Sequence, residues 1–335
     1  MSFPSSEHMK WLAQVEEEIV DPGRPIVDPH HHLWTDAVLP RYMLDDLWAD
    51  TESGHNVVKT VFVECNASYR ESGPEELRSL GEVEFVVAAA RESAESRGGR
   101  AEISAIVSHA DLTLDGIEEI LDQHARAGQG LFRGVRHIGA RDDDDALLIP
   151  GRAPADLYRC EEFRRGLKVL GRLGCSFDAW HYYHQNSSFA ELARAVPDTL
   201  MVLDHFGTPI GVGQYANRRD EVFDAWKESV SEVAQCPNVV AKLGGLAMPD
   251  NGMGWMGRDL PPTSDEFQEV QAPYYLHTIE AFGPDRCMFE SNFPVDKYSI
   301  SYPVLWNGLK KIVAAFSEDE KNAMFSGTAT RVYRL

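Results

Sequence analysis

Two histidines one residue apart, in the run Ile26-Val27-Asp28-Pro29-His30-His31-His32-Leu33-Trp34, are the residues of this chain best placed to do chemistry. In an extended segment alternate side chains share a face, so His30 and His32 point together while His31 points away. Their Cα atoms would stand about 7 Å apart, which lets both imidazoles reach one metal at roughly 2.0–2.1 Å from each nitrogen. A bare H-x-H can equally be a strand end that only hydrogen-bonds its neighbours. Other ionisable residues weigh on that choice. Glu64, Arg136 with His137, Asp178 with Trp180, His205, Lys242, and Glu290 with Asn292 all fall at the ends of apolar runs. Polar groups recurring at successive parallel-strand ends are what a barrel active site requires. Each also has a quieter use: Lys242 as a barrel-floor ion pair, His137 as a loop cap, Glu290 as the anchor of a neighbouring Lys or Arg.

The elements that would position these residues can be read from the apolar, β-branched runs. Candidate strands are Pro25–His30, Val57–Glu64, Glu102–His109, Phe132–His137, Gly174–Trp180, Thr199–His205, Asn238–Leu243 and Arg286–Ser291. Between them, Glu75–Glu92, Leu114–Arg126, Glu161–Arg172, Asp220–Gln235 and Glu266–Phe282 carry helical patterning. Strands alternating with helices imply a parallel sheet with crossover helices. Eight strands would close a (β/α)8 barrel, with a doubly wound open sheet as the alternative. Residues 1–24 precede the first strand as an N-terminal extension, and 25–335 form one domain. The acidic run Asp142–Asp145 with Pro150 and Gly151, and the stretch Met248–Pro262, read as long loops on the face where strands end and helices begin. Barrel active sites form on that face.

Composition narrows the function. The 335 residues include 53 Asp and Glu against 32 Lys and Arg, a formal charge of −21. So negative a surface repels phosphate backbones and anionic membranes, which argues against nucleic-acid and membrane partners and for a small-molecule substrate. Cys65, Cys160, Cys175, Cys236 and Cys287 are scattered without a CxxC pair, as expected of buried thiols in a reducing cytoplasm rather than of a disulfide framework. A homo-oligomer is compatible with the sequence.

Five stretches together carry a resemblance: Asp28-Pro29-His30-His31-His32-Leu33-Trp34, Gly134-Val135-Arg136-His137, Asp204-His205-Phe206-Gly207, Lys242-Leu243-Gly244-Gly245-Leu246, and Met288-Phe289-Glu290-Ser291-Asn292-Phe293-Pro294. In this order, from about Ile26 to the C-terminus, they resemble the amidohydrolase-2 branch of the amidohydrolase superfamily, close to sugar-acid and dicarboxylate lactonases. The resemblance implies a distorted (β/α)8 TIM barrel hydrolysing a lactone or a similar ester. His30 and His32 match the family's strand-one H-x-H, and His205 its strand-six histidine. Some members hold one divalent metal there, commonly zinc, and others work without metal. One position departs: where the family usually has Asp at the end of strand eight, this chain has Asn292. An amide accepts no proton at neutral pH, so Asn292 cannot be the base. Glu290 shares its strand face and can restore a carboxylate, with Asp178 and Glu64 as rivals.

The resulting expectation is a hydrolase opening a small lactone or ester, of an acidic or sugar-acid substrate, by attack of water on the carbonyl. His30, His32 and His205 would hold the water or a metal, and Glu290 or Asp178 would take the proton. Arg136 and His137 would bind a substrate carboxylate or the oxyanion. Trp34, Trp180 and Phe206 would wall the pocket, with Glu64 and Lys242 as further substrate contacts. The alternatives are a metal-dependent non-oxidative decarboxylase of the same branch and an inactive binding protein, which Asn292 would fit.

Overall fold

Eight short runs rich in Val, Ile, Phe and Ala form eight strands: β1 (Pro25–His31), β2 (Asn56–Val63), β3 (Glu102–Ser108), β4 (Phe132–Arg136), β5 (Ser176–Ala179), β6 (Met201–Leu203), β7 (Val239–Leu243) and β8 (Cys287–Phe289). The structure, a computed structural model, describes residues 6–35, 41–96, 99–147, 153–253 and 255–335; Pro150 and Gly151 of the expected loop lie outside them. The strands pair in chain order, each neighbouring pair parallel. The chain beyond β8 returns to β1: Asn292 N donates to His30 O at 3.0 Å and His32 N to Phe293 O at 2.8 Å. The architecture is a nearly closed (β/α)8 barrel.

The helices are α1 (Ser6–Leu12), α2 (Leu44–Thr51), α3 (Leu80–Glu95), α4 (Ile117–Ala127), α5 (Glu161–Arg172), α6 (Asn186–Ala195), α7 (Arg219–Ala234), α8 (Ser264–Phe282), α9 (Tyr302–Ile312), α10 (Glu318–Asn322) and α11 (Thr328–Tyr333). The helix expected over Glu75–Glu92 starts later than the pattern suggests, because Glu75–Leu77 forms a separate 3-10 turn. The N-terminal residues lie along the barrel: the Glu17 carboxylate accepts from Ser264 N at 2.8 Å, and Val20 N donates to Asn307 Oδ1 at 2.8 Å. All five cysteines are free. Among the described residues no helix is long and apolar enough to cross a membrane.

Strand alternation sorts the side chains into two layers. Phe177, Met201, Leu203, Val239, Ala241, Leu243, Cys287 and Phe289 face outward into the core shared with the helices. Val27, Val61, Ala105, Val202, Val240 and Met288 face inward and form an apolar floor. Helix α11 plugs that floor with Ala329, Val332 and Tyr333. Further along β5 and β7 and just past β6 and β8, the same inward rows become Asp178, Lys242, Asp204 and Glu290, all fully buried. One periodicity thus makes both the dry lower barrel and the charged layer above it.

Candidate active site

The charged layer is built from strand ends. His30 and His205 have ring centroids 4.5 Å apart, and His30 and His32 5.0 Å apart. His31 turns outward against Phe62, 5.9 Å between rings. Glu290 lies between two of the imidazoles. Its Oε1 is hydrogen-bonded to His205 Nδ1 at 2.7 Å, and its Oε2 stands 2.8 Å from His30 Nδ1. His32 faces β2 instead, its Nδ1 hydrogen-bonded to the Val63 carbonyl at 2.8 Å, so Glu290 is the third member of the tightest group. The side chains of His30, His205 and Glu290 each offer a ligand atom within 4.8 Å of the others.

His205 reaches this position through a break in alternation. Asp204 follows the inward row of Val202, so a continued strand would send His205 outward. Left-handed backbone at His205 (φ 52°) and Phe206 (φ 59°) turns His205 back into the barrel. The chain after β7 must approach closely: a Cβ on Gly244 would stand 2.4 Å from Glu290 Cγ, and one on Gly245 2.4 Å from His205 Nδ1. Two glycines are therefore a steric condition for seating His205 and Glu290.

Both cations of the cluster are matched internally. Arg136 Nε donates to Glu64 Oε1 at 2.8 Å, its NH2 donates to the Glu64 carbonyl, and NH1 lies 3.5 Å from His30 Nε2. Lys242 Nζ donates to Asp178 Oδ2 at 2.8 Å, stands 3.2 Å from Asp204 Oδ1 and 3.4 Å from His30 Nδ1. Burial opposes charge on both cations, but Glu64 and Asp204 outweigh it for Arg136, and Asp178, Asp204 and Glu290 for Lys242, so both pKa values rise. The histidines move the other way. Burial drives His30 and His32 well below the usual imidazole range and His205 down to about 3. Burial also lifts Glu290 to about 8 and Asp204 to about 6.

Several expected roles change. Asp178 accepts from Lys242, Tyr333 and Ser176 and serves as the counterion of Lys242. The Nε and NH2 groups of Arg136, expected to clamp a substrate carboxylate, are taken by Glu64, leaving NH1 toward His30, and Glu64 and Lys242 are likewise committed to protein partners. His137 does not join the cluster. One residue past the inward-facing Arg136, it packs on Phe163 at 5.2 Å and accepts from Leu112 N at 3.3 Å. Phe206 is thrown outward by the left-handed turn and is buried with its ring centroid 4.8 Å from that of Tyr275, in the core shared with the helices. Trp34 stacks parallel to His32 at 6.3 Å. Trp180 belongs to an apolar cluster with Tyr182, Leu147 and Ile210, its Nε1 donating to Thr208 Oγ1 at 3.1 Å. Asn292 sits in left-handed backbone (φ 55°) and its Nδ2 donates to Asp296 Oδ1 at 2.9 Å.

Sequence reasoning passed over Asp204, Asp296 and Tyr333. Asp204 and Glu290 matter for a metal. Both Asp204 oxygens and Glu290 Oε2 are buried without a directed hydrogen bond among the described residues, although Lys242 Nζ stands 3.2 Å from Asp204 Oδ1 and His30 Nδ1 2.8 Å from Glu290 Oε2. Buried carboxylate oxygens left this way are costly unless something positive completes them. Neutral imidazoles beside carboxylate oxygens form a donor set suited to zinc or a similar divalent cation. The residues present fit such an ion, with His30, His205 and Glu290 as its holders.

An eight-stranded parallel barrel with imidazoles and carboxyls gathered at its C-terminal strand ends defines a barrel enzyme. The amidohydrolase family model matches residues 27–335, and the chain belongs to that family as an amidohydrolase-type enzyme. Protein y4mH of Sinorhizobium fredii is 32% identical over 331 residues, spanning 92% of this chain and 98% of its own. The L-fucono-1,5-lactonase of Burkholderia multivorans is 27% identical over 237 residues, 70% of this chain and 73% of its own. A zinc-bound amidohydrolase structure from Burkholderia multivorans shares the fold with a TM-score of 0.70 at 21% identity, covering 92% of this chain and 99% of the other.

Proposed function

We propose that this enzyme opens the ring of an uncharged lactone by attack of water on its carbonyl. The observation that carries the reading is the Glu290 carboxyl set between His205 Nδ1 at 2.7 Å and His30 Nδ1 at 2.8 Å. An imidazole whose Nδ1 faces a carboxylate presents its other nitrogen as a proton acceptor, and the carboxylate stabilises the imidazolium that forms. His205 takes the proton of the attacking water, and Glu290 holds His205 in the competent tautomer and balances its charge. When a divalent cation is bound, His30, His205 and Glu290 would hold it and it would supply Lewis acidity toward the carbonyl oxygen; His205 would then be a ligand, and proton acceptance by its imidazole belongs to the metal-free site.

Charge balance favours a neutral substrate. A carboxylate-bearing substrate needs a free cation, and among the described residues Arg136 and Lys242 are already paired with Glu64, Asp178 and Asp204. The same pairing disfavours decarboxylation of an aromatic acid. The lactonase relative, whose name states a sugar lactone, supports the class without fixing the sugar.

The experiment is a substrate panel with the zinc-loaded and chelator-treated enzyme. Neutral sugar 1,4- and 1,5-lactones, a dicarboxylate lactone and hydroxybenzoic acids are offered, and acid release and carbon dioxide release are followed separately. Acid release from neutral lactones is the expected result. Faster turnover of the dicarboxylate lactone, or carbon dioxide from the aromatic acids, overturns the reading.

A further inference from the structure

The last turn of the chain reaches the charged layer from beneath. Helix α11 closes the lower mouth of the barrel, and Val332 and Tyr333 pack among the inward-facing valines. The Tyr333 hydroxyl then passes up the barrel and donates to Asp178 Oδ2 at 2.6 Å. That oxygen is also the one that accepts Lys242 Nζ at 2.8 Å. The Lys242 ammonium lies 5.4 Å from the centre of the Tyr333 ring and 3.4 Å from His30 Nδ1. Tyr333 is held at both ends, because Arg133 Nε donates to its carbonyl at 2.7 Å from the start of β4.

We infer that Tyr333 is a positioning residue for the active site, acting through Asp178 on the placement of the Lys242 ammonium beside His30 and Asp204. The physical reason is geometric. A carboxylate oxygen shared by two donors can satisfy both only over a narrow range of orientations, so the hydroxyl fixes where Asp178 meets Lys242. Lys is a long, flexible side chain with a point charge, and nothing in its own stem sets its direction. Within the dry barrel the position of that charge sets the field at His30 and His205, where a misplacement of about 1 Å can cost about a hundredfold in rate. The bond spans 155 residues of sequence, which makes the C-terminal helix part of the catalytic scaffold as well as a lid for the apolar floor.

Tyr333→Phe separates the two roles. It keeps the ring, its packing and its face toward Lys242, and deletes only the hydroxyl. Val332→Ala is the comparison, since it loosens the same plug without touching Asp178. For Tyr333→Phe we expect kcat to fall roughly ten- to hundredfold with KM nearly unchanged, the range for one hydrogen bond to a buried charge. For Val332→Ala we expect a lower unfolding midpoint with kcat retained at temperatures well below it. Equal kcat losses in both variants, or an unchanged kcat in Tyr333→Phe, overturn the inference. The turnover measurement rests on the lactonase reading, so a crystal structure of Tyr333→Phe gives a second readout independent of substrate. Displacement of the Lys242 ammonium by about 1 Å or more supports positioning, and an unmoved ammonium refutes it whatever the enzyme hydrolyses.

Discussion

The Asn292 amide donates to Asp296 Oδ1 at 2.9 Å, and Asp296 Oδ2 in turn accepts the Ala247 amide at 3.1 Å. Burial lifts the Asp296 carboxyl well above the usual range, and Asn292 supplies one of the few donors that stabilise its charge. An aspartate at position 292 would set one buried carboxylate against another. Asn292 is thus the donor that Asp296 requires, which gives the departure from the family pattern a local cause.

Asn292→Asp should therefore destabilise the protein by about 1–3 kcal/mol, the cost of replacing a buried hydrogen bond with an unsatisfied or repelling pair. The double variant with Asp296→Asn restores one donor opposite one acceptor and should recover most of the loss. Denaturant unfolding of the two single variants and the double reads the coupling directly. Strictly additive losses would show that the pair does not act as a unit.

Glu290→Gln should lower kcat by roughly 10⁴-fold, the cost of neutralising the carboxylate that orients a catalytic imidazole. It should also weaken zinc affinity, measured by calorimetric titration, because a ligand oxygen loses its charge. Gln matches Glu in size, so the unfolding midpoint is the control for packing. Full turnover in this variant would remove Glu290 from the reaction and leave His205 to act without a charged partner.

Much of this molecule was legible in its sequence, for identifiable reasons. All eight strands stood out because buried parallel strands are short, apolar and β-branched, with glycines, prolines and polar residues between them. Helix α9 did not stand out. Tyr302, Val304, Leu305, Trp306, Asn307, Gly308 and Leu309 are all buried, so its sequence lacks the polar face that signals a helix. Helix α6 has only ten residues, too few for a clear period. Within the site, alternation placed His30 apart from His31, but it does not carry past the end of β6. The left-handed turn at His205 and Phe206 brings Asp204 and His205 inward together and sends Phe206 out. Pairing was also invisible. Nothing local to Arg136, Lys242 or Asp178 reveals that Glu64, Asp204 and Tyr333 meet them across the barrel.

Gly245→Ala tests the steric condition on His205. The added methyl would meet His205 Nδ1 at 2.4 Å, and Gly245 already has φ +76°. Gly257→Ala is the matched control, with φ +82° and nothing within 4 Å of its added Cβ. Both variants should lose stability by about 1–2 kcal/mol from left-handed backbone, with a further loss at Gly245 from the clash. Only Gly245→Ala should lower kcat, by roughly a hundredfold for a displaced imidazole. Comparable activity in the two variants would mean that His205 is not confined by this loop.

Buried neutral histidines outside the site set a pH dependence of stability. His124 lies between Ser108 Oγ at 2.9 Å and Ser79 Oγ at 3.4 Å, and burial pushes its pKa down to about 4. His181 lies between the Tyr158 hydroxyl and Asn186 Oδ1, each at 2.9 Å, and burial likewise brings it to about 4. In the unfolded chain both titrate near 6.5. Between pH 6.5 and 4 the unfolded state therefore binds more protons than the folded state. The stability these residues contribute is complete above about 6.5 and falls as pH drops toward 4, by about 1.4 kcal/mol per pH unit for each histidine. Carboxylates also titrate in this window, so the decisive measurement is a difference between proteins. Denaturant unfolding from pH 7 to 4 should show a shallower slope for His124→Gln than for the wild type, by close to one proton, because glutamine bonds both serines without titrating. Parallel slopes would mean that His124 takes up its proton over the same pH range in the folded and unfolded protein.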